Sequence, residues 1–307
     1  MIVRPRPNLL QLFFVVRGSI VLRIISHILI VACLSAIVVW THQVRPGLLP
    51  DFDGAPFALL GIALSVFLAF RNNACYDRWW EARRHWGELI ASARNFARQT
   101  LIFEKGATQS EGVRQRLLVL TIAYVQSLVV HLRPNGDFAK VAKHLPPALL
   151  EHYLASRNPP EVILEAMQIE IVKLRGEGTI GDIPYSMLDH TINQMSGVQA
   201  ACERILTTPI PFGYTLLLHR TAYTFCFLMP FGFADTLGWA TPFAAALAAY
   251  TFFGLDALGN ELEEPFGTLP NNLPIGALAD TIEINLREAL GEVPLSPLPT
   301  PINYILM

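Results

Sequence analysis

Four runs of apolar residues divide this chain. They lie at 24–40 (IISHILIVACLSAIVVW), 55–70 (APFALLGIALSVFLAF), 212–234 and 237–255 (LGWATPFAAALAAYTFFGL). A helix needs roughly 17–25 such residues to cross a bilayer. The first and fourth runs meet that length, and the second gains it from its neighbours. The third is interrupted by His219 and Arg220. An arginine at the bilayer centre costs about 2.5–3.5 kcal/mol, against a gain of roughly 0.3–0.6 for each Leu or Phe. Arg220 is therefore expected near the interface, snorkelling, or facing the interior of a bundle. Spans are predicted at about 24–43, 55–72, 212–234 and 237–256. The stretch 8–22 (NLLQLFFVVRGSIVL) reads as an interfacial helix leading into the first span.

Between the second and third spans the pattern changes to apolar positions at helical spacing among polar ones. Residues 74–104 run without proline, and Val113, Leu117 and Leu120 mark the next helix at 111–131. Further helices are predicted at 138–156, 160–174 and 184–206, punctuated by Pro146-Pro147 and Pro159-Pro160 and ended near Pro209. A last short helix falls at 276–290. The tail carries Pro294, Pro297, Pro299 and Pro301, so residues 291–307 are expected to be an extended arm that packs on something, a neighbouring subunit being one choice. The fold class is all-α: a single domain over 1–307, with soluble helical regions at about 73–206 and 257–290.

Composition agrees with lipid contact. The 307 residues are 52% hydrophobic and 16% charged, where soluble domains carry about 25% charged residues. A net charge of −2 gives no reason to expect a nucleic-acid partner. Cys33, Cys75, Cys202 and Cys226 are too far apart for a CxxC site. Arg4, Arg6, Arg17 and Arg23 precede the first span, and Arg71, Arg78, Arg83 and Arg84 follow the second. The positive-inside rule then puts both termini and the middle region in the cytoplasm. Ile30–Cys33 fits a loose lipoprotein cleavage pattern, but the apolar run continues to Trp40, so an uncleaved span is expected.

Candidate chemistry is sparse. Gly176, Gly178 and Gly181 match a dinucleotide fingerprint in spacing, yet the strand and helix it needs are not indicated around it. No HExxH, GxSxG, SxxK or Walker motif occurs, so an enzyme reading has no nucleophile or base, and neither a metal nor a cofactor is expected. Glu261, Glu263 and Glu264 read as a solvated helix end on the cytoplasmic side. On the second apolar helix, Ile62, Val66 and Phe70 at i, i+4 and i+8 form one stripe. The other face carries small residues, Gly61, Ala63, Ser65 and Ala69, that allow helices to approach closely. Polarity switches at Arg71, as where a helix leaves a bilayer. Trp79 and Trp80 lie more than two turns beyond and are expected to pack on the soluble helices.

The run Phe70-Arg71-Asn72-Asn73-Ala74-Cys75-Tyr76-Asp77-Arg78-Trp79-Trp80-Glu81 resembles the bestrophin family, in particular its bacterial members. Thr208-Pro209-Ile210-Pro211-Phe212-Gly213-Tyr214 and Glu264-Pro265-Phe266-Gly267 support the likeness, which covers about residues 8–290. The resemblance implies a homopentameric ion channel whose partners are its own copies, the bilayer and the permeant ions. It places Ile62, Val66 and Phe70 in a hydrophobic neck, and a second, cytosolic constriction at Ile180, with Ile183 as the alternative. Gly267 is followed by Thr268-Leu269-Pro270 rather than by the acidic run of animal members, so calcium activation is not carried over. The likeness to bacterial members leans toward a passive channel for monovalent cations such as sodium. A chloride channel of the same architecture, and a membrane-anchored helical binding or assembly protein without conductance, are the alternatives.

Overall fold

A computed structural model describes residues 1–5, 8, 15, 18–45, 47–49, 52–103, 112–133 and 135–307. Every regular element among them is a helix. In chain order these are α1 (Val21–Val44), α2 (Gly54–Gln99), α3 (Val113–Leu132), α4 (Ala139–Ala142), α5 (Pro147–Ala155), α6 (Pro159–Gly176), α7 (Asp182–Thr207), α8 (Phe212–Leu237), α9 (Thr241–Glu263) and α10 (Ile275–Ala289). Most of the interfacial helix expected at 8–22 falls outside the described residues.

Four helical stretches are long and apolar enough to cross a membrane: Val21–Val44, Gly54–Phe103, Val113–Leu132 and Phe212–Glu263. The last is a hairpin, α8 and α9 joined by a single 3₁₀ turn at Gly238–Ala240. It therefore supplies two crossings. In α3, by contrast, 67% of the apolar window is buried inside the protein, against 17–39% for the others. Its hydrophobicity serves a protein core rather than lipid. The spans are thus α1, the first part of α2, α8 and α9.

α2 is the element that joins the two halves. Asp53 caps it by accepting from the Ala55 N–H at 3.0 Å, and Pro56 sits in its first turn, where a missing N–H costs nothing. No later proline interrupts it. At 1.5 Å per residue, its 46 residues reach about 69 Å, more than twice a hydrocarbon layer. One end packs in a membrane core with Ile24 and Val31 of α1, Leu218 and Cys226 of α8, and Ala245 and Phe253 of α9. The other end, through Trp86, Leu89 and Phe96, packs in a larger core built from α3, α6, α7 and α10. Gly61 lets α8 come close, since a Cβ there would lie 3.2 Å from Phe225. Ala63, Ser65 and Ala69 do not share that packing; they are exposed in the subunit.

A polar belt separates the two cores. Arg23 meets Glu261 at 3.3 Å, Arg71 meets Asp256 at 2.8 Å, and His219 Nδ1 lies 2.8 Å from the same aspartate, so α1, α2, α8 and α9 are tied at one level. From the belt to the far ends, residues 54–70, 219–237 and 241–256 span about 24–29 Å. α8 begins at Phe212, and its His219 lies at the level of the belt. Arg220 stands at the edge of the apolar layer, on the exposed side of α8 and not in the bundle interior.

The belt also corrects the reading of the acidic run. Glu261 is buried between Arg23 and Asn271, whose Nδ2 donates to it at 2.6 Å, and Glu263 reaches Arg71 at 3.4 Å. Only Glu264 is solvated, because the loop after α9 folds back and brings donors to the other two. The glycine fingerprint follows α6 rather than a strand, and Gly178 turns the chain into α7 with φ +72°. The C-terminal arm is non-helical and returns to its own chain. Val3 N–H donates to Tyr304 O and Leu306 N–H to Met1 O, both at 2.9 Å.

Candidate functional site

The stripe on α2 is set by helical geometry. Residues 64, 68 and 71 face the packed side of the helix, with Leu64 and Leu68 buried in the membrane core and Arg71 in the polar belt. Positions roughly half a turn away must then point outward. Ile62 is 65% exposed, Val66 47% and Phe70 60%. Leu59 lies on the same outward arc and Phe67 borders it, both more than half exposed. An apolar surface of this extent within one subunit calls for a covering, whether lipid, another copy of the chain, or a dewetted passage. Below Phe70 the arc turns polar, with Asn73 and Asp77 exposed.

Trp79 and Trp80 divide in their packing. Trp79 packs on the larger core and donates its indole N–H to Asn271 O at 3.0 Å. Trp80 is exposed, with the Arg83 guanidinium 4.7 Å from its ring centre. Between core and belt, Arg78 donates to Glu263 O at 2.7 Å and to Thr208 O at 2.6 Å. One guanidinium thus satisfies the last carbonyl of α9 and the chain leading into α8, and it holds both against α2.

The loop after α9 is ordered by side-chain amides. Asn272, fully buried, accepts from the Leu269 N–H and donates to Glu261 O and Glu264 O at 2.7 and 2.8 Å. Gly267 has to be glycine, since a Cβ would meet Asn272 Oδ1 at 2.6 Å. Arg133, at the C-terminal end of α3, donates to Phe266 O and Leu273 O, both at 2.8 Å. No cluster of three or more His, Cys, Asp or Glu able to hold a metal occurs among the described residues.

At the distal end the structure separates the two candidate residues. Ile180 is only 7% exposed and belongs to the larger hydrophobic core. The turn at Gly178 aims it inward, under α6 and α7, within the subunit. Ile183, in the first turn of α7, is 77% exposed. α7 spans 26 residues from there to the elbow near Thr208, about 39 Å. Ile183 therefore sits at the end of the molecule far from the apolar layer.

Sequence reasoning missed the side chains that fix this arrangement: Arg71, Asp256, Asn260, His219 and Glu261. Two signals pointed to them. Asp256 is an acid in an otherwise apolar run, and His219 breaks the third run. Ionisable residues at that depth are expected to pair.

The family model for bacterial and fungal bestrophin proteins matches residues 1–288. A voltage-dependent anion channel-forming protein of Mesorhizobium japonicum is 44% identical over 299 residues, covering 97% of this chain and 95% of the relative. One of Escherichia coli strain K12, carrying the same description, is 40% identical over 301 residues, covering 97% and 98%. A solved bacterial bestrophin homologue from Klebsiella pneumoniae superposes with a TM-score of 0.83 at 38% identity, over 88% of this chain and all of that one.

Proposed function

This chain belongs to the bacterial and fungal bestrophin family of ion channels, and we propose that it is a passive anion channel, a ring of five copies around one pore. Ile62, Val66 and Phe70 would line its neck. The observation that carries the neck is the outward arc of α2: three exposed apolar side chains on a helix whose opposite face is packed. Rings of such residues offer no ligand oxygens, so ions cross only while the passage stays wet. Apolar rings are blind to the sign of charge. The lean toward sodium therefore has nothing in the neck behind it, and the description shared by the relatives supports anions instead.

A second constriction falls to Ile183, at the cytoplasmic end. With four spans and arginines flanking α1 and α2 on one side, both termini lie in the cytoplasm of the inner membrane. The pairing of Val3 with Tyr304 supports a common side for the two ends. The donors of Asn272 and Arg133, which already engage the carbonyls around Pro265–Leu273, support a loop ordered without calcium.

The test is a planar-bilayer recording of the purified protein under unequal NaCl. The expected reversal potential lies toward the chloride equilibrium value. A potential toward that of sodium overturns anion selectivity, and the absence of any current overturns the channel itself. The mass of the solubilised particle reads the number of copies.

A further inference from the structure

The end of α2 nearest Phe70 is held by a side chain that conduction through an apolar neck does not itself require. Arg71 follows Phe70 directly and is fully buried. One guanidinium nitrogen donates to Asp256 Oδ1 at 2.8 Å. The other donates to Asn260 Oδ1 and lies 3.4 Å from Glu263 Oε2. The three acceptors stand at i, i+4 and i+7, so they form one face of α9. Gly259 opens the space beside them, since a Cβ there would sit 3.2 Å from the Arg71 terminal nitrogen. Asp256 is shared with α8 through His219 Nδ1 at 2.8 Å. One cation thus joins α2, α8 and α9 at a single level.

Stability alone is a weak reason for such a group. A buried ion pair often breaks even against apolar residues of similar volume, and its best-attested use is to fix geometry. A planar fork facing acceptors on two turns of one helix fixes rotation as well as distance, which a lysine cannot do. Phe70 is the neighbour of that fork. Its side chain stands about 5–6 Å from the helix axis, so a turn of about 20° in α2 moves it by about 2 Å. Repeated around a ring, that displacement decides whether an apolar constriction stays wet.

We propose that Arg71 is the positioning residue of the neck: by locking α2 to Asp256, Asn260 and Glu263 it sets the width of the Phe70 ring and hence the largest ion that passes. This rests on the neck reading above. Phe70 meets the ion; Arg71 acts through it.

The experiment compares the assembled wild type with Arg71→Lys, the apolar pair Arg71→Met with Asp256→Leu, and Phe70→Ala, in single-channel recordings. The readout is the permeability of acetate and gluconate relative to chloride, or of bulky ammonium ions relative to sodium should the channel pass cations. Particle mass and melting temperature are measured alongside. The apolar pair is expected to assemble with wild-type mass yet shift the relative permeability of the bulky ion several-fold, with a smaller shift for Arg71→Lys. Should the pair fail to assemble, Asn260→Ala removes one acceptor while leaving the charges paired, and carries the same test. An unchanged size limit in the assembled Arg71 variants, with Phe70→Ala altered, overturns the clamp and leaves the neck standing. If Phe70→Ala is also unchanged, the neck reading falls and takes the clamp with it.

Discussion

Val66 stands at the middle of the outward arc of α2, with Ile62 one turn to one side and Phe70 one turn to the other. If the three form rings, the central one is the driest, and a hydroxyl there holds water where a methyl expels it. Val66→Ser is expected to raise single-channel conductance several-fold without changing particle mass. A wild-type current would remove this position from the neck. Ile183→Ala is expected to alter the relative permeability of permeant ions with little change in melting temperature, because Ile183 is not part of the packed core. The same substitution at Ile180 leaves a cavity in that core. Large-to-small changes of this kind cost about 2–5 kcal/mol, so Ile180→Ala should lower the melting temperature measurably. Asn272→Ala takes the side-chain donor from the buried Glu261 carbonyl, at a cost of about 1–3 kcal/mol, and is expected to destabilise the protein even though it touches no ion path.

At the scale of elements, α10 packs on the larger core and carries one carboxylate, Glu283, that several neighbours share. Burial pushes the pKa of Glu283 up, but hydrogen bonds from His144 and Arg287, the charge of Lys143 and a hydrogen bond from Gln126 outweigh it. The group is held well below its ordinary value of 4.5. A carboxylate depressed in the folded state contributes stability that is fully present above its unfolded pKa and is lost as pH falls through the folded one. Melting temperature should therefore decline as the pH is lowered below about 4.5. Glu283→Gln should start lower and decline less over the same range. The spans and most soluble helices were legible in the sequence because hydropathy and proline act locally: Pro146 and Pro159 each stand just before or at the start of a helix. Telling α3 from a span depended instead on its polar neighbours, since its length and composition alone admit a crossing. The stripe of α2 was legible as spacing. The reason for its orientation was not, because Arg71 and Asp256 are 185 residues apart and no local pattern links them. Ile180 and Ile183 show the same limit. Three residues of loop decide which faces out, and that depends on the left-handed turn at Gly178.

For the whole molecule, the division into two cores with a polar belt between them sets what detergent and denaturant should do. The membrane core is small and leaves broad apolar surface on α1, α2 and α9 to be covered by lipid or by other copies. The larger core is enclosed. Stripping the annulus with harsher detergent should therefore scatter the proposed ring into single chains before the soluble helices melt. Particle mass followed beside far-ultraviolet dichroism would show this, and simultaneous loss of both signals would contradict it.

The span of 185 residues between Arg71 and Asp256 has a further meaning in time. At about 5–20 residues per second, α2 leaves the ribosome roughly 10–40 s before its acceptors on α9 exist. Through that interval its arginine waits at the membrane edge without the partners it has in the finished protein. The helix is then unlocked, free to rotate, and a chain arrested before α9 presents no fixed constriction. With the proposed lock, setting the constriction falls among the last events of biosynthesis, and a fragment ending ahead of residue 256 should insert into the membrane without being able to form a selective path.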